Sequence, residues 1–195
     1  PRKVTLKGGK GVTLRPLEGG DEEALFRFFA GLPPESTEFL RDDVKDRKVV
    51  ARWVRERDPD RVWVLLALTE GGTVVGNASL HLSHTGWRRH VGEVRAVVSP
   101  ELHKQHLATA LVHELVNQAS LRSLKKLEAQ ILDAQQGART VFERFGFSEE
   151  ARLREHAVDL HGKAHDLLIL TSRVDDVWKK MENLIQDLDF AHDAY

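Results

Sequence analysis

Residues 92–115, GEVRAVVSPELHKQHLATALVHEL, change their hydrophobic period midway. Val94 to Val98 is short and rich in β-branched residues, as in a buried strand. Pro100 has no N–H to offer a ladder, so the strand ends before it. From Leu107 the pattern is helical: Leu107, Leu111 and Leu115 recur with Val112 and Val116. The order is therefore strand, tight loop over 101–106, helix. A helix that opens straight out of such a loop aims several unpaired backbone N–H groups at one spot, and the anion that fits most naturally is a phosphate.

On either side, the chain reads as alternating short elements. Residues 2–15 form a hairpin, with Val4 and Leu6 facing Val12 and Leu14 around Gly8, Gly9 and Gly11. Asp21 is a candidate N-cap for a helix whose stripe is Ala24, Leu25, Phe28, Phe29 and Leu32, and Pro33 and Pro34 stop it. A second helix over 43–57 carries Val44, Val50, Trp53 and Val54. Strands over 61–68 and 73–82 join through Glu70, Gly71 and Gly72. The loop 84–90 holds Trp87, Arg88 and Arg89; it is either a grip for an acidic partner or RNA, or a solvated hairpin tip, and the low net charge favours the tip. The long helix runs to about Arg122, and the next strand covers 126–132. A last hairpin over 151–160 and 165–170 turns at His161, Gly162 and Lys163. Beyond it Val174, Val177, Trp178, Met181, Leu184, Ile185 and Leu188 make a helical stripe, to be covered by the domain itself or by a second chain.

The 195 residues are enough for one domain with a sizeable core, and 41% apolar with 30% charged residues is a globular mixture. A net charge of −1 gives no field to attract nucleic acid or an anionic membrane. Cysteine is absent, which removes disulfides and thiolate metal sites. His103, His106 and His113 are close in sequence, and His161 and His165 flank a turn, but no HExxH pattern accompanies them and no metal is expected. No run approaches the roughly twenty apolar residues of a membrane span and no signal peptide is evident, so a cytoplasmic protein is expected.

The segment 92–115 resembles the acyl-CoA-binding segment of the GNAT superfamily of N-acetyltransferases. That family's loop reads Arg or Gln, two residues, Gly, one residue, then Gly or Ala. The matching positions here are His103, Lys104, Gln105, His106, Leu107 and Ala108, of which Ala108 meets the pattern. A second resemblance lies at 135–147, QQGARTVFERFGF, where the family has a helix with Asn, Ala and Tyr closing on Gly-Phe; Ala138, Gly146 and Phe147 are kept, while Gln135 and Phe142 replace Asn and Tyr. Residues 15–36, RPLEGGDEEALFRFFAGLPPES, are more loosely similar to the protein-lysine acetyltransferase branch.

The resemblance covers about 11–172 and implies an α+β fold. That fold is a three-layer α/β arrangement, with a mixed, mostly antiparallel sheet of about seven strands flanked by helices. Residues 1–172 would form a single acyltransferase domain and 173–195 an extra amphipathic helix on it or on a partner chain, a homodimer being one such pairing. The implied reaction is direct acetyl transfer from acetyl-CoA to a primary amine of a small molecule or a protein, in a ternary complex. Implied for coenzyme binding are the backbone of Val97 and Val98, the loop His103, Lys104, Gln105, His106, Leu107 and Ala108 with Thr109, and Gln135, Ala138 and Phe142. Glu93 is the implied base, a task that suits a carboxylate of raised pKa; the alternative is a Glu93 paired with Arg95. At His106 the family's glycine is lost, so the site is either weakened and pH-sensitive, with His103 or His106 protonated towards phosphate, or dead. Phe142 cannot protonate the departing thiolate, so reduced activity is expected, or a GNAT-shaped binding, regulatory or interaction module without catalysis.

Overall fold

The computed structural model describes residues 1–37, 39–159 and 161–185. The chain runs β1 (Arg2–Thr5), β2 (Gly11–Pro16), α1 (Glu22–Gly31), α2 (Pro34–Thr37), α3 (Arg47–Arg55), β3 (Val62–Thr69), β4 (Val74–His81), β5 (Val91–Val98), α4 (Leu107–Leu121), β6 (Lys126–Leu132), α5 (Gln136–Arg144), β7 (Ser148–Val158), β8 (Ala164–Arg173) and α6 (Val174–Ile185). The strands make one mixed sheet of eight in the order β1-β2-β3-β4-β5-β6-β8-β7. Every neighbouring pair is antiparallel except β5 with β6. The expected mostly antiparallel sheet is thus present, with eight strands for about seven.

Helices cover both faces, which is why β3, VWVLLALT, is apolar along its whole length rather than alternating. Trp63, Leu65 and Ala67 pack beneath α4, whose Leu107, Leu111, Leu115 and Val116 are buried in the same core. Leu66 and Leu68 turn to the other face and meet Leu25, Phe28 and Phe29 of α1 and Val50 and Val54 of α3. Gly92 is where β5 passes close under the core: a Cβ there would lie 2.7 Å from Leu124 Cδ1 and 2.8 Å from Leu80 Cδ1. Val174, Val177 and Met181 of α6 are buried in the α4 core. The side chains of Leu184 and Ile185, and Leu188 altogether, lie outside the described residues.

Two expectations change. Asp21 precedes α1 but makes no side-chain cap; it is buried and takes both Nη atoms of Arg15, at 2.6 and 2.7 Å, and the Glu18 N–H. A strand arginine outbids the helix terminus because a bidentate charged pair is stronger than one cap bond. The helix expected over 43–57 begins only at Arg47, because Asp46 caps it by accepting the Lys48 N–H at 2.8 Å and Asp43 folds back on the Lys45 N–H. The irregular stretch 39–46 before it carries Arg41 to Glu93.

Candidate active site

The parallel pair β5–β6 stays together for only three residues, Val91–Lys126, Gly92–Leu127 and Glu93–Glu128. Past that point β5 continues along β4 and β6 continues along β8, so a gap opens between two central strands. Ser99 N–H donates to Val75 O at 3.0 Å, which fixes the phase of the β4–β5 ladder. Bonded pairs recur at every second residue, so Val97 and Arg95 spend their N–H groups on β4, while those of Ala96 and Val98 point into the gap. The amides expected at Val97 and Val98 are therefore available at Val98 and Ala96; Val97 instead gives its side chain to the cavity wall.

The loop after β5 ends in a left-handed residue. His106 has φ 68° and directly precedes α4, and Lys104 has φ 62°. Left-handed geometry is sparsely populated for a side chain with a Cβ and costs on the order of 1 kcal/mol. The loop is braced from outside: Lys7 N–H donates to Gln105 O at 3.3 Å, and the Gln105 amide, donating to Glu101 O, packs against Gly8. The backbone shape that a glycine would supply is held, with histidine in its place. The first-turn N–H groups of Leu107, Ala108 and Thr109 precede the first helical bond, Ala110 N–H to His106 O. Burial, then the charges of Lys7 and Arg144, pushes the His106 pKa down. That shift disfavours an imidazolium at His106, one of the alternatives expected for the altered loop. Lys7 and Arg144, distant in sequence, supply with Lys104 the positive charge there. His103 and Lys104 are exposed.

Under α1 and α3 lies a cavity of about 680 Å³, lined partly by Phe29, Trp53 and Leu40. Its floor is formed by Asn77, Ser79 and His81 of β4 with their partners Val97 and Arg95 of β5; Glu93, opposite His81, stands beside Arg95 rather than in the lining. The Glu93 carboxylate takes Arg95 Nε at 2.9 Å and Arg41 at 2.7 Å. Burial alone would raise its pKa, but the Arg95 hydrogen bond and the charges of Arg95 and Arg41 outweigh that and leave it below the usual carboxylate range. The raised pKa expected for a base is thus not found, and the pairing with Arg95 is. Arg41 also donates to Gln130 Oε1 at 2.7 Å, tying the loop before α3 to β6 across the gap. His81, bonded to Ser79 Oγ at 3.0 Å, is pushed to about 4 by burial and then by the Arg95 charge, so it is neutral.

Gln135, the residue before α5, and Ala138 and Phe142 within it all line the cavity. Gln135 Oε1 accepts the Leu132 N–H at 2.8 Å, which closes β6. Phe142 is 6% exposed and packs on Phe147 at 5.2 Å. Gly146, φ 84°, stops the helix as expected: Gly146 N–H bonds Glu143 O and Phe147 N–H bonds Phe142 O. Sequence reasoning missed Arg41, Asn77, Ser79, His81 and Gln130, since a cross-strand register and an 89-residue separation leave no local signal.

The Arg88 expected in an open loop pairs with Glu128 at 2.9 Å, whereas Trp87 beside it is 88% exposed. Among the described residues, no helix is long and apolar enough to cross a membrane.

Known structures share this architecture. The GNAT domain of a Streptomyces lividans PAT superposes with a TM-score of 0.73 at 20% identity, covering 88% of this chain and 96% of that one. The yncA protein of Salmonella typhimurium, a structure with acetyl-CoA, gives 0.69 at 20% identity over 84% and 94%. A ribosomal-protein-alanine N-acetyltransferase from Brucella melitensis gives 0.71 at 23% over 83% and 99%. No curated protein matches in sequence. The model of the acetyltransferase (GNAT) family matches residues 23–147, and the chain belongs to that family.

Proposed function

We propose that the protein transfers an acetyl group from acetyl-CoA to an amine by direct attack within a ternary complex. The observation that carries this reading is the gap between β5 and β6, which opens beside a left-handed loop and the N-terminus of α4. The diphosphate would rest on the N–H groups of Leu107, Ala108 and Thr109, with Lys7, Lys104 and Arg144 nearby. The pantetheine arm would follow the gap, and the thioester carbonyl would take the N–H groups of Ala96 and Val98. Those groups stabilise the negative charge that grows on oxygen during attack. The structure with acetyl-CoA among the neighbours supports this coenzyme.

The acceptor nitrogen attacks the carbonyl carbon, the C–S bond breaks and the thiolate leaves. The proton lost by the nitrogen passes through water towards Glu93, which lies four residues from Val97 on the same strand face. Glu93 is a weak base at its lowered pKa, so part of the deprotonation falls to the site itself. Two guanidiniums around one carboxylate disfavour an ammonium and favour the neutral amine. Phe142 offers no proton to the thiolate. A thiol of pKa about 8.5 leaves without one, though a missing general acid costs about 10²- to 10⁴-fold where protonation is needed.

Phe142 also motivates a second reading, a coenzyme-binding module without turnover. Calorimetric titration with acetyl-CoA, followed by thiol release over an amine panel, separates the two. Binding with amine-dependent thiol release supports the transferase, binding without release supports the module, and no binding removes both.

A further inference from the structure

We infer that the acceptor is a small amine carrying its own carboxylate a few bonds from the nitrogen, an amino-acid-like zwitterion, and that Arg95 holds the carboxylate. This deepens the transferase reading and rests on it. Arg95 is the middle rung of the cavity floor, paired with Ser79, with its side chain 34% exposed. Its Nε is committed to Glu93, while Nη1 and Nη2 have no hydrogen-bond or ion-pair partner among the described residues. A guanidinium edge that is held by one strand neighbour and open to a cavity is pre-organised for a second carboxylate. Ser79 and Asn77 flank it on the floor.

The fixed charge selects the same ligand. Glu93, the carboxylate bonded to Arg95, is shared with Arg41, so the pair of guanidiniums is left with an excess positive charge. The carboxylates that line the cavity, Asp42, Glu56 and Asp58, are all solvent-exposed. A polyamine would set its second ammonium against Arg95. A peptide N-terminus would bring an amide carbonyl, a single uncharged acceptor for an edge with two charged donors. Arg95 adjoins Ala96, whose N–H faces the gap, so a carboxylate on Arg95 would lie on the same stretch of β5 as the thioester carbonyl. A short acceptor, with its nitrogen a few bonds from its carboxylate, suits that adjacency.

The test compares free amino acids with their own amides as acceptors, in wild type, Arg95→Lys and Arg95→Gln. The amide has the less basic nitrogen and thus more neutral amine at pH 7.5, so a preference for the acid runs against intrinsic reactivity. Wild type is expected to favour the acid in kcat/KM by about 10- to 100-fold, the worth of a charged hydrogen-bond pair. The acid-to-amide ratio should fall to about one in Arg95→Gln and lie between in Arg95→Lys. The ratio is read because Arg95 also holds Glu93, and loss of that contact lowers both substrates together. An equal fall for acid and amide, or a wild type that prefers amides or polyamines, overturns the inference while leaving the transferase reading intact. No turnover with any amine overturns both.

Discussion

At residues 104–109 the coenzyme would meet backbone, whereas on the cavity floor the acceptor would meet side chains, and the two regions tolerate substitution differently. His106 stands where the family has glycine, yet the loop keeps φ 68° there because the β1–β2 hairpin and the α4 core hold it from both sides. Phe142 stands where the family has tyrosine, and the packing around it is equally intact, yet a hydroxyl is gone. A site built from main-chain amides survives a change of residue as long as its shape is enforced. A site built from a side-chain proton does not survive the loss of that atom.

Each region can therefore be perturbed with its own readout. The largest effect is expected beside the floor: Glu93→Gln should lower turnover by about 10²-fold, the low end for a general base because its pKa is already lowered, with acetyl-CoA affinity unchanged. Steady-state kinetics beside calorimetry checks this, and a changed affinity would mean that the two regions are coupled. Phe142→Tyr should raise turnover about tenfold or more, again without moving affinity, if the restored hydroxyl reaches the sulfur. His106→Gly should do the reverse, tightening acetyl-CoA binding about tenfold at constant saturated turnover. It should also stabilise the fold by up to about 1 kcal/mol through relief of the left-handed geometry.

The remaining effects are read in stability against pH, not in turnover. His81 and His113 are held neutral, each at about 4, by burial first and then by nearby arginine charge. Their contribution is present above the unfolded value of about 6.5 and is lost as pH falls towards 4, because the unfolded chain takes up the protons. His165 has the opposite sign. Hydrogen bonds to Asp159 at 2.9 Å and Asp133 at 3.1 Å raise it, so its contribution is complete below about 6.5 and is lost as pH rises through the higher folded value. Urea melts from pH 4.5 to 9 should show a maximum that falls more steeply on the acid side, where His81 and His113 act together, and His165→Gln should flatten only the alkaline side.

The difference between the regions also governs what the sequence made legible. Strand, loop and helix over 92–115 could be read because a period of two changes to 3.6 within one window, and no distant residue is needed for that. The Glu93–Arg95 pair could be read because residues two apart share a strand face. Arg41 could not, since it reaches Glu93 from an irregular segment with no hydrophobic period, 52 positions away in sequence. His81 was hidden for a related reason: which residue of β4 stands opposite Glu93 depends on a register that the long 82–90 connection does not fix. The misreading of Asp21 came from a partner on a neighbouring strand. Backbone-built features are local and visible, and side-chain constellations assembled across the sheet are not.

The central claim is that the gap and the α4 N-terminus receive acetyl-CoA. Amide NMR during an acetyl-CoA titration tests it most directly. Saturable shifts are expected at Leu107, Ala108 and Thr109 together with Ala96 and Val98, while the hairpin β7–β8 stays still. Absence of saturable shifts at those amides, or shifts confined to other parts of the chain, would contradict it.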